Sequence, residues 1–185
     1  MKYPPALEHK KKNIIELTRT SLEEYRAAGK LPLIVALDNV RSLNNVGSLL
    51  RTCDAFMVRS LLLCGITGTP PHPEIHKTAL GAEESVDWRH CDDTLAALRS
   101  LQADGWQICV LEQTHNSLPL NRFTPDPNGK YVIVAGNEIH GVDQAVVDAA
   151  DFVLEIPQHG TKHSLNVSVS SGIAIWHFYN ALINN

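Results

Sequence analysis

Five short apolar runs constrain the fold of this chain more than anything else in it: LIVALD (33–38), SLLLC (60–64), WQICVLE (106–112), YVIVAG (131–136) and FVLEI (152–156). Each is near-continuous rather than alternating, the pattern of strands in a parallel sheet covered on both faces. Helical patterns separate or follow them. Val46, Leu49, Leu50, Cys53 and Met57 recur at helical spacing, as do Leu165, Val169, Gly172, Ile173 and Trp176, and each set predicts a core-facing helix stripe. A first helix is expected over roughly residues 7–28, carrying Ile14, Ile15, Leu22 and Tyr25 and stopped by AAGKLP. Strands alternating with helices predict an α/β fold, a mostly parallel sheet with helices on both faces. One domain over residues 1–185 is expected, with residues 1–30 as a helical extension.

Composition narrows the function classes. Hydrophobic residues are 44% and charged residues 19%, which suits a packed core. No apolar run approaches the ~20 residues that span a bilayer, and MKYPPALEHKKKN carries no signal-peptide core, so a cytoplasmic protein is expected. Cys53, Cys64, Cys91 and Cys109 lie in apolar segments without C-x-x-C pairing, as reduced core cysteines do. The nine histidines include no H-E-x-x-H spacing, so no metal site is expected. The net charge of -4 argues against a nucleic-acid partner unless a local basic patch supplies the contacts, and HKKKN (9–13) reads either as a solvated helix end or as a phosphate-contacting arm.

Polar residues concentrate just beyond three of the apolar runs, where open parallel sheets bind ligands. These segments are DNVRSLNNVGSLLR, GNEIHG and PQHGTKHSLN. None is a G-x-G-x-x-G or P-loop fingerprint. In the first, Asn45 is expected to cap a helix starting near Val46, and Gly47 to let a ligand approach its N-terminus. Arg51 falls off the apolar stripe, so N-x-G-x-x-x-R reads either as an anion site or as a cap plus a surface arginine. In the second, Glu138 stands either in a pocket or as an acid favouring a helix N-terminus. In the third, Ser164 reads as an N-cap and Asn166 as a first-turn side chain. No G-x-S-x-G elbow supports Ser164 and His163 as a hydrolase pair.

Taken together, NNVGSLLRTCDAF, VIVAGNEIHGV and LEIPQHGTKHSLNVSVSSGIAI closely resemble, in order and spacing, the three motifs of the SpoU-type RNA ribose methyltransferases of the SPOUT superfamily. KTALGAEESVDW (77–88) is similar to the family's segment after the second strand, and the resemblance covers about residues 33–180. It implies a homodimer that binds S-adenosylmethionine in a C-terminal trefoil knot. It also implies methyl transfer to a ribose 2′-hydroxyl of RNA, with tRNA favoured over rRNA. Matched position by position, the cofactor pocket falls to Thr114, Gly136, Ile156 and Leu165. Arg51 is assigned either proton removal or charge stabilisation, with Asn45, Glu138, Ser164 and Asn166 completing the catalytic set. RNA is expected to meet Arg41, Lys162 and His163, along with Lys10, Lys11, Lys12 and Arg19. The N-terminal RNA-recognition domain of some rRNA-modifying members and the basic C-terminal extension of some tRNA-modifying members are not expected here. A non-catalytic RNA-binding module of the same fold, or a methyltransferase acting on a base or a non-RNA substrate, remains the alternative.

Overall fold

The computed structural model describes residues 10–13, 16 and 20–183. Its strands are β1 (Leu31–Asp38), β2 (Val58–Cys64), β3 (Trp88–Cys91), β4 (Gln107–Leu111), β5 (Leu118–Pro119), β6 (Tyr131–Gly136) and β7 (Phe152–Glu155). They form one seven-stranded sheet in the order β3-β2-β1-β6-β4-β7-β5, and every neighbouring pair is parallel. The five strands expected from apolar runs are present. The two others, β3 and β5, occupy the two edges, where one flank is unpaired and an apolar run is not required.

The helices are α1 (Leu22–Ala27), α2 (Leu43–Ala55), α3 (Pro73–Ala79), α4 (Ala82–Ser85), α5 (Thr94–Ala103), α6 (Gln144–Asp148) and α7 (Val167–Leu182). They cover both faces of the sheet, as the continuous burial of its central strands requires. Along β1, Leu33, Val35 and Leu37 join a core with Val46, Leu49, Leu50 and Cys53 of α2, Ile75 of α3, and Ile175 and Phe178 of α7. The alternate residues Ile34 and Ala36 face the other way, onto Leu98 and Leu101 of α5 and Val146 of α6. Burial pushes the Cys53 and Cys64 thiols up to about 12, Cys64 with a further contribution from neighbouring Cys91, so both are unreactive packing groups. No described helix is long and apolar enough to cross a membrane.

Three expectations are corrected. The first helix is only Leu22–Ala27, closed at its start by a capping box between Ser21 and Glu24. Residues 10–13 are exposed and not helical, and residues 7–9, 14, 15 and 17–19, with Ile14, Ile15 and Arg19, lie outside the described residues. Met57 lies beyond the end of α2, with a φ of 52°. The stripe chosen for the last helix points outward: Val169 is 50% exposed, Ile173 41% and Trp176 52%. The inward face is Val167, Ser171, Ala174, Ile175, Phe178 and Leu182. Helix α7 is apolar nearly all round, so periodicity alone could not decide which stripe faces the sheet.

Candidate functional site

Strand β4 lies between β6 and β7, so the segments leaving their carboxyl ends converge. They enclose a cleft of about 630 Å³ lined by residues of all three segments. Thr114, Gly136, Ile156 and Leu165 all line it, as do Glu138, Ser164 and Asn166. Its size falls in the usual range for small-molecule pockets. The walls combine apolar Leu111, Leu154, Ile156 and Val167 with the carboxylates of Glu112, Glu138 and Glu155, and among the described residues no lysine or arginine lines it. Such a lining fits a cation that also carries an apolar or ring portion, and S-adenosylmethionine has both. Among the described residues no group of His, Cys, Asp or Glu is arranged to hold a metal.

A chain of hydrogen bonds ties the cleft to α2. Glu138 accepts from the Arg41 and Ser42 backbone N–H groups at 3.0 Å each and from Asn45 Nδ2 at 3.0 Å. Asn45 Oδ1 in turn accepts from Asn166 Nδ2 at 3.1 Å. Asn166 Oδ1 accepts from the Ser168 backbone N–H at 2.9 Å, so Asn166 is the N-cap of α7. Residues 93 and 121 positions from Asn45 are thereby joined through one side chain that is only 8% exposed. Burial alone would raise the Glu138 carboxyl, but the hydrogen bonds from Arg41, Ser42 and Asn45 prevail and hold it below its ordinary value.

Several local expectations change. Ser42, not Asn45, caps α2, which frees the Asn45 side chain to point at Glu138 and Asn166. Asn166, not Ser164, caps α7. Gly47 does not open the helix to a ligand: a Cβ there would overlap Thr78 Oγ1 and the Ile75 carbonyl, so this glycine lets α3 approach α2. Glu138 does favour a helix N-terminus, but that of α2 rather than one following it in sequence. Arg41, Lys162 and His163 are exposed and do not line the cleft, and neither does Arg51, which is exposed on α2 without a hydrogen-bond or ion-pair partner among the described residues.

The run LEQT, which the family resemblance implies as another wall of the cofactor pocket, lines the cleft from Leu111 to Thr114, although Glu112 and Gln113 were not singled out within it. Glu112 Oε2 accepts from the Val142 N–H at 3.1 Å and Oε1 from the Gln113 N–H at 2.9 Å, while Gln113 Nε2 donates to the His163 carbonyl at 2.8 Å. The available signal was the abrupt change from apolar to polar in VLEQT at the end of a strand.

A parallel sheet with a ligand-sized cleft beyond the carboxyl ends of three adjacent strands defines an α/β ligand-binding fold. The model of the SpoU rRNA Methylase family matches residues 32–176, and the chain belongs to that family. It is 28% identical over 162 residues to the 23S rRNA (guanosine-2'-O-)-methyltransferase RlmB of Vibrio parahaemolyticus, covering 87% of this chain and 64% of that one. The chain thus spans less than two thirds of the 23S rRNA relative. It is 30% identical over 163 residues to the tRNA (guanosine(18)-2'-O)-methyltransferase of Aquifex aeolicus, covering 88% and 76%. Among solved structures, the A. aeolicus TrmH/SpoU tRNA modifying enzyme superposes with a TM-score of 0.77 at 29% identity, covering 86% of this chain and 81% of that one. The AdoMet-bound rRNA methyltransferase of Sinorhizobium meliloti gives 0.73 at 27% identity, covering 83% and 58%.

Proposed function

We propose that this protein transfers the methyl group of S-adenosylmethionine to a ribose 2′-hydroxyl of RNA, with tRNA favoured over rRNA. The observation that carries this is the Glu138–Asn45–Asn166 chain, which joins three distant polar segments at the rim of a cleft whose lining suits the methyl donor. The relatives act in their names on tRNA and 23S rRNA guanosine, and the chain covers more of the tRNA relative.

Thr114, Gly136, Ile156 and Leu165 would hold the cofactor, which supplies an already activated methyl group. The protein's task is then to align the ribose and manage one proton and one developing charge. Glu138 is unsuited to take that proton, because three donors occupy its oxygens and keep it ionised. Its role is to fix the start of α2 and, through Asn45, the start of α7. A guanidinium resists deprotonation, and Arg51 is solvent-exposed, so Arg51 stabilises the forming alkoxide and the adjacent phosphate. The proton leaves to water or to that phosphate. Ser164 and Asn166 hold the nucleotide and the 157–166 segment, and Arg41, Lys162 and His163 meet the RNA backbone.

The C-terminal part is assigned a trefoil knot and the chain a homodimer in the cytoplasm. Support for the dimer is the outward stripe of Val169, Ile173 and Trp176 on α7, continued by Ile183 at its C-cap. Trp176 and Tyr179 also pack on Phe56 at the end of α2, with ring centroids 5.6 and 5.1 Å apart. A second copy seated on the stripe therefore lies beside the helix that bears Arg51. Mass-spectrometric mapping of ribose methylation in total RNA from a deletion strain and its parent tests the function. One 2′-O-methyl site should vanish, and an unchanged map overturns the proposal.

A further inference from the structure

Three carboxylates line the cleft, and their hydrogen bonds distinguish them. Both oxygens of Glu138 are engaged with the start of α2. Glu155 Oε2 accepts from the Ser117 hydroxyl at 2.9 Å, at the β5 margin of the sheet. Glu112 stands immediately after β4, the middle of the three strands whose following segments wall the cleft, and lines the cleft. Each of its oxygens receives one backbone hydrogen bond, from Gln113 and from Val142, and retains further lone pairs. Gly141, with a φ of 69°, closes the turn beside it, and a Cβ at that position would collide with Glu112 Oε2. The turn is thus shaped around the carboxylate.

We propose that Glu112 is the counter-charge for the cationic methyl donor and makes the cleft discriminate it from the neutral thioether product, an inference that rests on the S-adenosylmethionine reading. The donor carries a sulfonium that becomes an uncharged thioether once the methyl leaves, so donor and product differ by one positive charge and little in shape. Among the described residues no lysine or arginine lines the cleft, and Glu112 is half-buried, where a charge is screened less than on the surface. The carboxylate therefore favours the donor and loses its electrostatic partner at the moment of transfer, which eases product release. A residue that only shaped the turn would hold both ligands equally.

The test is calorimetric titration of the full chain and of Glu112→Gln with S-adenosylmethionine, S-adenosylhomocysteine and sinefungin, whose amine restores a positive charge at the sulfonium position. Glu112→Gln should weaken S-adenosylmethionine and sinefungin by about tenfold and S-adenosylhomocysteine by less than about threefold. Equal weakening of all three, or none, overturns the counter-charge while leaving the cofactor reading intact. Failure of the unaltered protein to bind any of them overturns both. If Glu112→Gln does not fold, the unaltered protein decides: raising the salt concentration should weaken the two cations more than the thioether, and parallel weakening refutes the proposal.

Discussion

Replacing Asn45 by aspartate changes one amide group into an anionic oxygen, 3.0 Å from Glu138 Oε1, and leaves the contact with Asn166 Nδ2 possible. Two terms oppose the variant. The lost hydrogen bond to a carboxylate is worth about 1–1.5 kcal/mol at a site where Glu138 itself is exposed. Two charges about 4 Å apart in an effective dielectric of about 40, between the bulk-water and protein-surface values, repel by about 2 kcal/mol. Together they give about 3 kcal/mol, which lowers the unfolding midpoint by about 6–12 °C in a protein of this size. The penalty has a ceiling set by protonation: near pH 7, neutralising a carboxyl of ordinary pKa costs about 4 kcal/mol, and near pH 5 only about 1.4 kcal/mol. Repulsion raises the pair's folded-state pKa above the unfolded value, so the deficit is full above that raised value and shrinks as pH falls through it. Thermal unfolding of the unaltered protein and of Asn45→Asp near pH 8 and near pH 5 should show the gap between them falling by about half. Asn45→Ala, which adds no charge, should lose about 1–2 kcal/mol at both. A pH-independent gap for Asn45→Asp, or none, would refute the Glu138–Asn45 bond and with it the joining of the three segments.

Arg51→Ala should fold normally, because the side chain is exposed and unpartnered among the described residues. It should bind S-adenosylmethionine as before and lose about 10²-fold or more in single-turnover methyl transfer; retention of more than about a tenth of the rate would remove Arg51 from the chemistry. Glu138→Ala should cost about 1–2 kcal/mol near neutral pH. Because the folded carboxyl lies below its ordinary value of 4.5, that contribution is full above 4.5 and disappears as pH falls through the lowered value, so unaltered and variant proteins should converge in acid melts. Gly47→Ala should destabilise by about 2 kcal/mol or more, since the new methyl must push α3 from α2, and an unchanged melting temperature would contradict that packing. Trp176→Glu should shift light scattering from dimer to monomer, whereas a dimer that survives the charge is built elsewhere.

The central sheet was legible because its strands are buried on both faces, and burial on two sides leaves an unbroken apolar run such as YVIVAG. The edge strand WRHC left no such mark, since pairing on one flank imposes no composition. Cleft-lining residues such as Glu138 and Asn166 could be singled out because polar side chains follow apolar strands there, and because the three segments match a family in order and spacing. What each does locally was not legible. Asn45 reads as a cap in its own segment, but Ser42 performs that task, and only the approach of Glu138 and Asn166 from 93 and 121 residues away shows what Asn45 joins. Gly47 faces α3 rather than a ligand for the same kind of reason. In α7, two apolar stripes satisfy the same helical period, and the sheet buries Ile175 and Phe178 while leaving Ile173 and Trp176 outside. Local pattern determines which elements form and which faces can be buried. Long-range contacts, whose cost is loop closure rather than local propensity, decide which face is buried and which polar groups meet.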